Sequence, residues 1–292
     1  MLLPRRTLLP LGLTLVYAAK IARAEAPLAV PLAVIASFSI LADLVRAVGG
    51  GKIRVSALVG PDQDAHAFQL RPSDVRATAK AGLVVLNGLG FDGWAERLTQ
   101  AAGYRGKLVI ATRGVRQLGA DPHAWQNVAN VKIYVENIRE GLAHADPANA
   151  TGYQQAAAAY AARLDALDAE IRATLAAIPR TRRRIVTSHD AFAYYGDAYG
   201  MDFLAPQGTS TDSEPSARQL AALIAQIRAE GVRALFLENI SNQQVLRQVA
   251  RETGVRIGPT VYSDALSAAS GPAATYLEMM RHNTSAFAAT LR

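Results

Sequence analysis

The sequence predicts an α/β fold with two lobes, each built on a mainly parallel β-sheet flanked by helices. Two observations predict this fold. Short apolar, β-branched runs alternate with segments of helical spacing over residues 25–148 and again over residues 180–292, which is typical of parallel sheets with helices on their faces. Between the two series, residues 149–179 are rich in helix formers, which indicates one long helix that joins the lobes.

The first lobe is predicted from alternating strands and helices. Strands are expected at L-A-V-P-L-A-V-I-A-S-F, I-R-V-S-A-L-V, A-G-L-V-V-L and K-L-V-I-A-T, because each is a short apolar run. Helices are expected at S-I-L-A-D-L-V-R-A-V-G, R-P-S-D-V-R-A-T-A-K-A and F-D-G-W-A-E-R-L. Pro72 suits the first turn of the second of these helices.

The joining helix is expected to be about 45 Å long at the usual rise per residue and to end before Pro179. Its composition favours a rigid connection over a flexible linker. The second lobe then has strands at R-R-I-V-T-S and A-L-F-L-E-N, a strand-like V-Y-S-D-A-L, and helices at E-P-S-A-R-Q-L-A-A-L-I-A-Q-I-R-A-E-G and Q-V-L-R-Q-V-A-R-E-T-G. A closing helix runs through Leu291. No internal repeat is visible in the sequence.

Residues 1–24 have the organisation of a cleavable signal peptide. A basic pair, Arg5–Arg6, precedes an apolar run of thirteen residues, Thr7–Ala19, and Ala22–Ala24 has the small-x-small form of a cleavage site. The run is too short to cross a bilayer of roughly 30 Å as a helix. We therefore expect export to the periplasm, by the general secretory route or, since R-R-T-L-L loosely resembles a twin-arginine signal, after folding.

Charge and cysteine content exclude some classes of function. The formal net charge is +7, but four cations and no acid lie in residues 1–24, so residues 25–292 carry +3 (7 − 4). Nucleic-acid binding is not predicted, because no basic cluster is interleaved with aromatic residues and the run Arg180–Arg184 is explained as a solvated turn. The sequence has no cysteine, so we expect neither disulfides nor a cysteine-linked lipid anchor. A monomer is expected.

Three of the five histidines follow predicted strands: His66 in D-A-H-A-F, His123 in A-D-P-H-A-W and His189 in V-T-S-H-D-A-F. Loops at the carboxyl ends of parallel strands gather at one crevice, so three imidazoles there are candidates for a metal site. Asp264, in V-Y-S-D-A-L-S, is a candidate carboxylate ligand. Spacing alone leaves this open, because a single loop histidine is more often a surface or capping residue and a single aspartate more often a turn residue.

The remaining histidines and the tryptophans are interpreted as structural. His144 lies near the end of a predicted helix, where a cation is mildly favourable. His282 falls on the last predicted helix and is expected to be exposed. Trp94 and Trp125 are expected to serve packing rather than recognition.

The histidine segments resemble motifs of the zinc and manganese solute-binding proteins of ABC importers, the ZnuA/TroA-like cluster. After D-A-H-A-F-Q-L-R-P-S-D come, in the order found in that family, L-N-G-L-G-F-D-G-W, D-P-H-A-W-Q-N-V-A-N-V, V-T-S-H-D-A-F-A-Y-Y-G-D-A-Y-G, S-E-P-S-A-R-Q-L and F-L-E-N-I-S-N-Q-Q-V. The resemblance runs from about Ile35 to the C-terminus. It implies a metal held in the cleft between two lobes, with ligands His66 and His123 from the first lobe and His189 and Asp264 from the second.

The resemblance also implies which metal is carried and to what partner. Zinc-type members of the family have histidine at the third ligand position and manganese-type members usually have glutamate, so His189 implies Zn²⁺ as the cargo, with Mn²⁺ as the alternative. Many zinc-type members have a long histidine-rich loop before the second ligand, whereas this chain has only T-R-G-V-R-Q-L-G-A. Delivery to the membrane permease of an ABC importer is expected, with the long helix limiting the lobe movement to small tilting.

A zinc-dependent hydrolase is the alternative from another class, since three histidines and a water also form catalytic zinc sites. Against it, the sequence has no H-E-x-x-H motif and no glutamate beside a predicted ligand as an evident base, although Asp190 adjoins His189. A cell-surface adhesin has no signal in the sequence. We therefore expect a metal carrier and not an enzyme.

Overall fold

The structure is a computed structural model that describes residues 30–292. The predicted signal peptide, residues 1–24, lies outside the described residues. The described part contains eight strands: β1 (Leu32–Phe38), β2 (Ile53–Val59), β3 (Leu83–Leu86), β4 (Lys107–Ile110), β5 (Arg184–Val186), β6 (Asp202–Leu204), β7 (Ala234–Leu235) and β8 (Arg256–Ile257).

The strands form two separate sheets with the same topology. The first sheet has the order β2-β1-β3-β4 and the second β6-β5-β7-β8, and every neighbouring pair is parallel. In the first sheet, for example, Val34 pairs with Val55 on one side and with Leu83 on the other. We call the part of the chain around β1–β4 the first lobe and the part around β5–β8 the second lobe. The prediction of two parallel-sheet lobes is confirmed.

The described residues also contain nine α-helices: α1 (Ser39–Gly49), α2 (Pro72–Ala79), α3 (Ala95–Ala101), α4 (Val128–Ala145), α5 (Ala150–Ala176), α6 (Ala193–Tyr199), α7 (Ala217–Glu230), α8 (Gln243–Thr253) and α9 (Tyr276–Leu291). Several begin at the capping residues that their sequences offer. At α7 and α9, Ser216 and Thr275 accept hydrogen bonds from the backbone N–H groups of Gln219 and Glu278. The side chains of Gln219 and Glu278 bond back to the cap residues, which completes two capping boxes.

Helix α5 is the long helix predicted between the two lobes. It is 27 residues long, or about 40 Å at the usual rise. One stripe of the helix is buried at spacings of three or four residues, and this stripe packs against α1, α4 and α9. The buried stripe consists of Tyr153, Ala157, Tyr160, Leu164, Leu167, Ile171 and Leu175. Because α9 closes the second lobe and α1 and α4 belong to the first, α5 contacts helices of both lobes.

Two strands of the second sheet, β6 and β8, are absent from the predicted elements. They have three and two residues, as β5 and β7 do, but they lie outside the runs R-R-I-V-T-S and A-L-F-L-E-N from which β5 and β7 were predicted. The predicted strand-like V-Y-S-D-A-L forms no strand, since only Val261 pairs, in an isolated parallel bridge with Glu238. Through this bridge, the segment still lies beside the second sheet, as a strand there would. No helix within residues 30–292 is both long and apolar enough to span a bilayer.

Candidate metal centre

The four predicted ligands come from segments that follow the carboxyl ends of parallel strands. His66 lies in the loop after β2, His123 in the loop after β4, and His189 three residues after β5. Asp264 lies three residues after Val261, which pairs with Glu238 beyond the end of β7. Because the carboxyl edges of the two sheets face one crevice, the four side chains meet there. One ligand atom from each of the four lies within 4.8 Å of the others.

The Asp264 carboxylate lies at the middle of the three imidazoles. Its Oδ2 is 3.1 Å from Nε2 of His66 and 3.1 Å from Nε2 of His189, and its Oδ1 is 3.6 Å from Nε2 of His123. The Nε2 atoms of His66 and His123 are 3.4 Å apart. Each histidine therefore presents the same ring nitrogen to one small volume.

These donor atoms are almost completely withdrawn from solvent. The side chains of His123, His189 and Asp264 have no exposed surface, and that of His66 is 6% exposed. Within residues 30–292, neither ring nitrogen of His189 makes a well-aligned hydrogen bond, although they lie 2.6 Å from Glu238 Oε2 and 3.1 Å from Asp264 Oδ2, and Asp264 Oδ1 has no hydrogen-bond partner. Burying polar atoms without partners is costly, so atoms that share one centre are well suited to a cation there.

Asp121 holds the ring of His123 from behind. Its Oδ1 lies 2.6 Å from His123 Nδ1 and also accepts the backbone N–H of His123 at 2.9 Å. A carboxylate at Nδ1 keeps the proton on that nitrogen, which leaves the Nε2 lone pair free to face the centre. No role was predicted for Asp121, which precedes His123 in D-P-H. The D-x-H spacing, which Asp64 and His66 repeat, is the signal that was available.

Glu238 has the corresponding position behind His189. Its Oε2 is 2.6 Å from His189 Nδ1, and its Oε1 accepts the backbone N–H groups of Ser188 and His189 at 2.7 and 3.0 Å. The side chain is fully buried. Sequence reasoning missed this role. The available signal was an acid at the end of the apolar run F-L-E-N, just beyond β7, the strand adjacent to β5.

The buried charges of the centre favour a cation. Burial alone would lower the pKa of the His189 imidazole, but the carboxylates of Glu238 and Asp264 hold this pKa well above its ordinary value. Burial likewise opposes protonation of His123, yet Asp264 and Asp121 raise its pKa. Burial would raise the pKa of Asp264, but the His189 and His123 imidazoles hold it well below its ordinary value. The carboxylates of Asp121, Glu238 and Asp264 thus favour a positive charge at the centre.

Two indole N–H groups fix the segments that carry the ligands. Trp125 donates to the backbone O of Ser263, beside Asp264, at 2.9 Å, and Gln126 Nε2 donates to the same oxygen at 2.9 Å. Trp94 donates to the O of Ala65, beside His66, at 3.2 Å. Both tryptophans are buried. The packing role predicted for them is confirmed, and their N–H groups also position the ligand segments.

The other predicted residues lie away from the centre. His144 is exposed at the end of α4, where its Nδ1 lies 2.9 Å from Glu140 O. His282 lies on α9 as expected, but the expectation that it is exposed is wrong. It is half-buried, with Nε2 2.8 Å from Thr260 O and its ring edge-on to Tyr262, because this face of α9 packs against the segment that contains these two residues. Asp190 is half-buried and is not part of the four-residue cluster.

Comparison with known proteins identifies the family. Residues 34–290 match ZnuA, described as zinc-uptake complex component A, periplasmic. The chain belongs to the ZnuA family. This membership confirms the resemblance found from the motifs.

The relatives of this ZnuA-family chain are named for different metals. It is 32% identical over 265 residues to the manganese-binding lipoprotein MntA of Halalkalibacterium halodurans, covering 89% of this chain and 88% of MntA. It is 31% identical over 256 residues to the iron-binding protein YfeA of Yersinia pestis, covering 85% of this chain and 82% of YfeA. Metal identity therefore varies among relatives of similar distance.

Two solved structures share the fold of this ZnuA-family chain. The periplasmic zinc-binding protein TroA from Treponema pallidum superposes with a TM-score of 0.85 at 28% identity, covering 89% of this chain and 99% of TroA. A manganese-bound mutant of a periplasmic metal-binding protein from Candidatus Liberibacter asiaticus gives 0.82 at 29% identity, covering 89% of this chain and all of the other. Both are described as periplasmic metal-binding or zinc-binding proteins, in agreement with the expected metal carrier.

Proposed function

We propose that this chain is a periplasmic carrier that captures one divalent transition-metal ion, with zinc as its main cargo, and delivers it to the permease of an ABC importer. The observation that carries the proposal is the convergence of three imidazole Nε2 atoms on the Asp264 carboxylate in a buried cleft. His66, His123, His189 and Asp264 are the proposed ligands. All four belong to one chain, so we propose that the monomer carries the metal.

The spacing of the proposed ligand atoms suits a first-row cation. Four ligands at zinc distances in a tetrahedron are about 3.4 Å apart. The short separations around Asp264, between 3.1 and 3.6 Å, are close to this value. The buried Nε2 of His189, which makes no well-aligned hydrogen bond, and Oδ1 of Asp264, which has no hydrogen-bond partner among the described residues, would gain the metal as a partner. The donor set therefore fits a four-coordinate ion with small adjustments of the side chains.

The chemistry of the donors favours zinc over manganese. Three imidazoles and one carboxylate suit borderline-soft zinc, whereas manganese prefers oxygen ligands, and zinc outbinds manganese at most such sites. The description of TroA as a zinc-binding protein supports this choice, while MntA and YfeA are named for manganese and iron. Manganese thus stays the alternative cargo.

The proposed location and organisation follow the sequence expectations where the relatives support them. The family is described as periplasmic, and MntA and ScbA are named lipoproteins. The expectation of no lipid anchor gains no support from these relatives, so our proposal covers only the periplasmic location. We propose a cleavable signal in residues 1–24, lobes of residues 25–148 and 180–292, and residues 149–179 as their connection.

Zinc affinity and stoichiometry test the function. Metal-stripped protein is titrated with zinc against a chromophoric chelator, alongside His66→Ala and the exposed control His144→Ala. We expect one tightly bound zinc per chain in the wild type and in His144→Ala, and an affinity lower by orders of magnitude in His66→Ala. Weak zinc binding that His66→Ala leaves unchanged would contradict the proposal. A parallel titration with manganese measures the preference between the two metals.

A further inference from the structure

The D-x-H turn occurs twice at the centre, but the two aspartates have different partners. In both turns the backbone N–H of the histidine donates to Oδ1 of the aspartate, at 2.9 Å for Asp64–His66 and 2.9 Å for Asp121–His123. Asp121 Oδ1 also contacts the ring of its histidine. Asp64 instead uses Oδ2 to accept a hydrogen bond from Thr211 Oγ1 at 2.6 Å. Thr211 belongs to the second lobe, so Asp64 connects the His66 turn to the opposite lobe.

The loop that carries Thr211 is attached to the His189 segment. This loop, residues 205–216, lies between β6 and α7. The backbone N–H of Asp190 donates to Gly208 O at 3.1 Å, and Gln207 forms a parallel bridge with His189. The Asp64–Thr211 hydrogen bond therefore links the loop that contains His66 to a loop that is bonded to the His189 segment.

A second contact fixes the beginning of the His66 loop, residues 60–71, to the second lobe. Asp62 has a φ of 53°, which is uncommon for a residue other than glycine. Its N–H donates to Leu266 O at 2.9 Å, while its carboxylate accepts from Asn239 Nδ2 at 2.9 Å and from the N–H of Ala268 at 3.1 Å. Three bonds to the second lobe hold Asp62 in this conformation. The His66 loop is thus held at Asp62 and at Asp64, with the His66 turn just beyond.

The path to the centre passes His66. Of the four clustered side chains, only that of His66 has exposed surface. Asp64 and Thr211 are half-buried and lie at this side of the centre. On the other side, Trp125 and Gln126 of the first lobe hold Ser263, the neighbour of Asp264, by two bonds to its backbone oxygen. With Asp62 still bound, movement of the His66 turn away from the second lobe breaks one hydrogen bond between the lobes, Asp64–Thr211, whereas separation of Asp264 from the first lobe breaks the two at Ser263.

We propose that the Asp64–Thr211 hydrogen bond closes the His66 loop over the bound metal and controls the rate of metal release. This inference rests on the proposed metal binding. Asp64 acts as a positioning residue: one oxygen sets the backbone of His66, and the other connects that backbone to the opposite lobe. Loss of the bond leaves the four ligands in place but allows the His66 loop to open more often, so the metal leaves faster.

The test compares Thr211→Val, which removes the hydroxyl at nearly constant volume, with Thr211→Ser, which keeps it. Thr209→Val is the matched control, since Thr209 lies in the same loop and its side chain makes no hydrogen bond within residues 30–292. Zinc-loaded proteins are mixed with excess chelator, and the dissociation rate is followed by stopped flow. We expect Thr211→Val to release zinc about tenfold faster or more, as for loss of one hydrogen bond to a charged group. Thr211→Ser and Thr209→Val should stay within twofold of the wild type.

Hydrogen exchange of the metal-free proteins gives a readout that does not depend on metal. We expect faster amide exchange in residues 60–71 and 205–216 in Thr211→Val than in wild type, with the thermal unfolding temperature little changed. If wild-type protein binds zinc and Thr211→Val releases it at the wild-type rate, the inference is overturned while the proposed function stands. If wild-type protein binds no zinc, the proposed function fails, and this control of release fails with it. In that case, amide hydrogen exchange in residues 60–71 and 205–216 would still measure whether the Asp64–Thr211 hydrogen bond closes the His66 loop.

Discussion

Glu238 lies directly behind His189, with its Oε2 2.6 Å from the imidazole Nδ1 and its Oε1 bound to the backbone N–H groups of Ser188 and His189. One buried carboxylate thus fixes the position of the His189 backbone and the ring orientation together. Such carboxylate–histidine pairs keep the proton on the outer nitrogen and raise the basicity of the nitrogen that faces a metal.

Glu238→Gln is therefore expected to weaken zinc binding by roughly 10- to 100-fold. If the amide keeps its oxygen on the backbone N–H groups, its NH₂ group points at Nδ1 and favours the tautomer with the proton on Nε2, which faces the centre. Chelator competition measures the affinity. Glu136→Gln, at an exposed glutamate on α4, is the control and should bind zinc as the wild type does. An unchanged affinity in Glu238→Gln would show that this pair does not position the ligand.

Exchange of the third proposed ligand, His189, tests the basis of metal preference. His189→Glu alone would place a second buried carboxylate next to Glu238, so we expect it to weaken the binding of both metals. The double variant His189→Glu/Glu238→Gln removes this repulsion and supplies an oxygen ligand. We expect its ratio of zinc to manganese affinity to fall at least tenfold relative to the wild type. A ratio equal to that of the wild type would mean that His189 does not determine the preference.

Zinc affinity should fall as the pH falls, beginning above the ordinary histidine pKa of about 6.5. The buried carboxylates raise the pKa of His123 and hold that of His189 well above its ordinary value. Protons therefore compete with the metal at a higher pH than free imidazole would suggest. Titrations between pH 5.5 and 8.5 measure this dependence. A flat affinity above pH 6.5 would contradict the proposed ligation by these two imidazoles.

Without metal, the free energy of unfolding should fall as the pH rises from 5.5 to 8. Because the folded-state pKa of His189 exceeds its unfolded value, its contribution to the free energy of unfolding is complete below about pH 6.5 and is lost as the pH rises through the folded pKa. The folded-state pKa of Asp264 is lowered, so its contribution to the free energy of unfolding is complete above about pH 3.9. This contribution is lost as the pH falls through the folded-state pKa. Urea unfolding of stripped protein at pH 5.5 and 8 measures the first effect. Greater stability at pH 8 would contradict it.

Zinc should raise the free energy of unfolding, since the four clustered residues come together only in the folded chain. At a free zinc concentration 1,000 times the dissociation constant, linkage predicts a gain of about 4 kcal/mol. Urea unfolding with and without zinc measures it. Asp264→Ala should lose most of this gain, whereas substitution of the exposed Asp212 by alanine should keep it. Equal gains in both variants would place the stabilising zinc elsewhere.

The sequence predicted those parts of the molecule that depend on local patterns. The helix-forming composition of residues 149–179 located α5 to within three residues at either end. The apolar runs located β1 to β4 because strands of four to seven residues leave a clear pattern. Strands β6 and β8 were missed because their segments, D-F-L and R-I, are strands only through their pairing with β5 and β7, whereas the equally short β5 and β7 lie in the predicted runs R-R-I-V-T-S and A-L-F-L-E-N.

The centre was predictable only in part for the same reason. The position of each histidine after a strand indicated a shared crevice, and the family resemblance supplied the set of four. Glu238 was missed because an acid after an apolar run is ordinary in a sequence, and its contact with His189 spans 49 residues. The Asp64–Thr211 bond spans 147 residues. Such contacts between loops follow from the packing of the two lobes and have no local signal.

The X-ray absorption spectrum of the protein loaded with one zinc tests the central claim most directly. We expect about four nitrogen and oxygen ligands near 2.0–2.1 Å, with the outer-shell scattering of three imidazoles. The same spectrum of His189→Ala should show two imidazoles. A spectrum dominated by water or carboxylate oxygen, unchanged in His189→Ala, would mean that zinc binds this chain outside the cluster of His66, His123, His189 and Asp264.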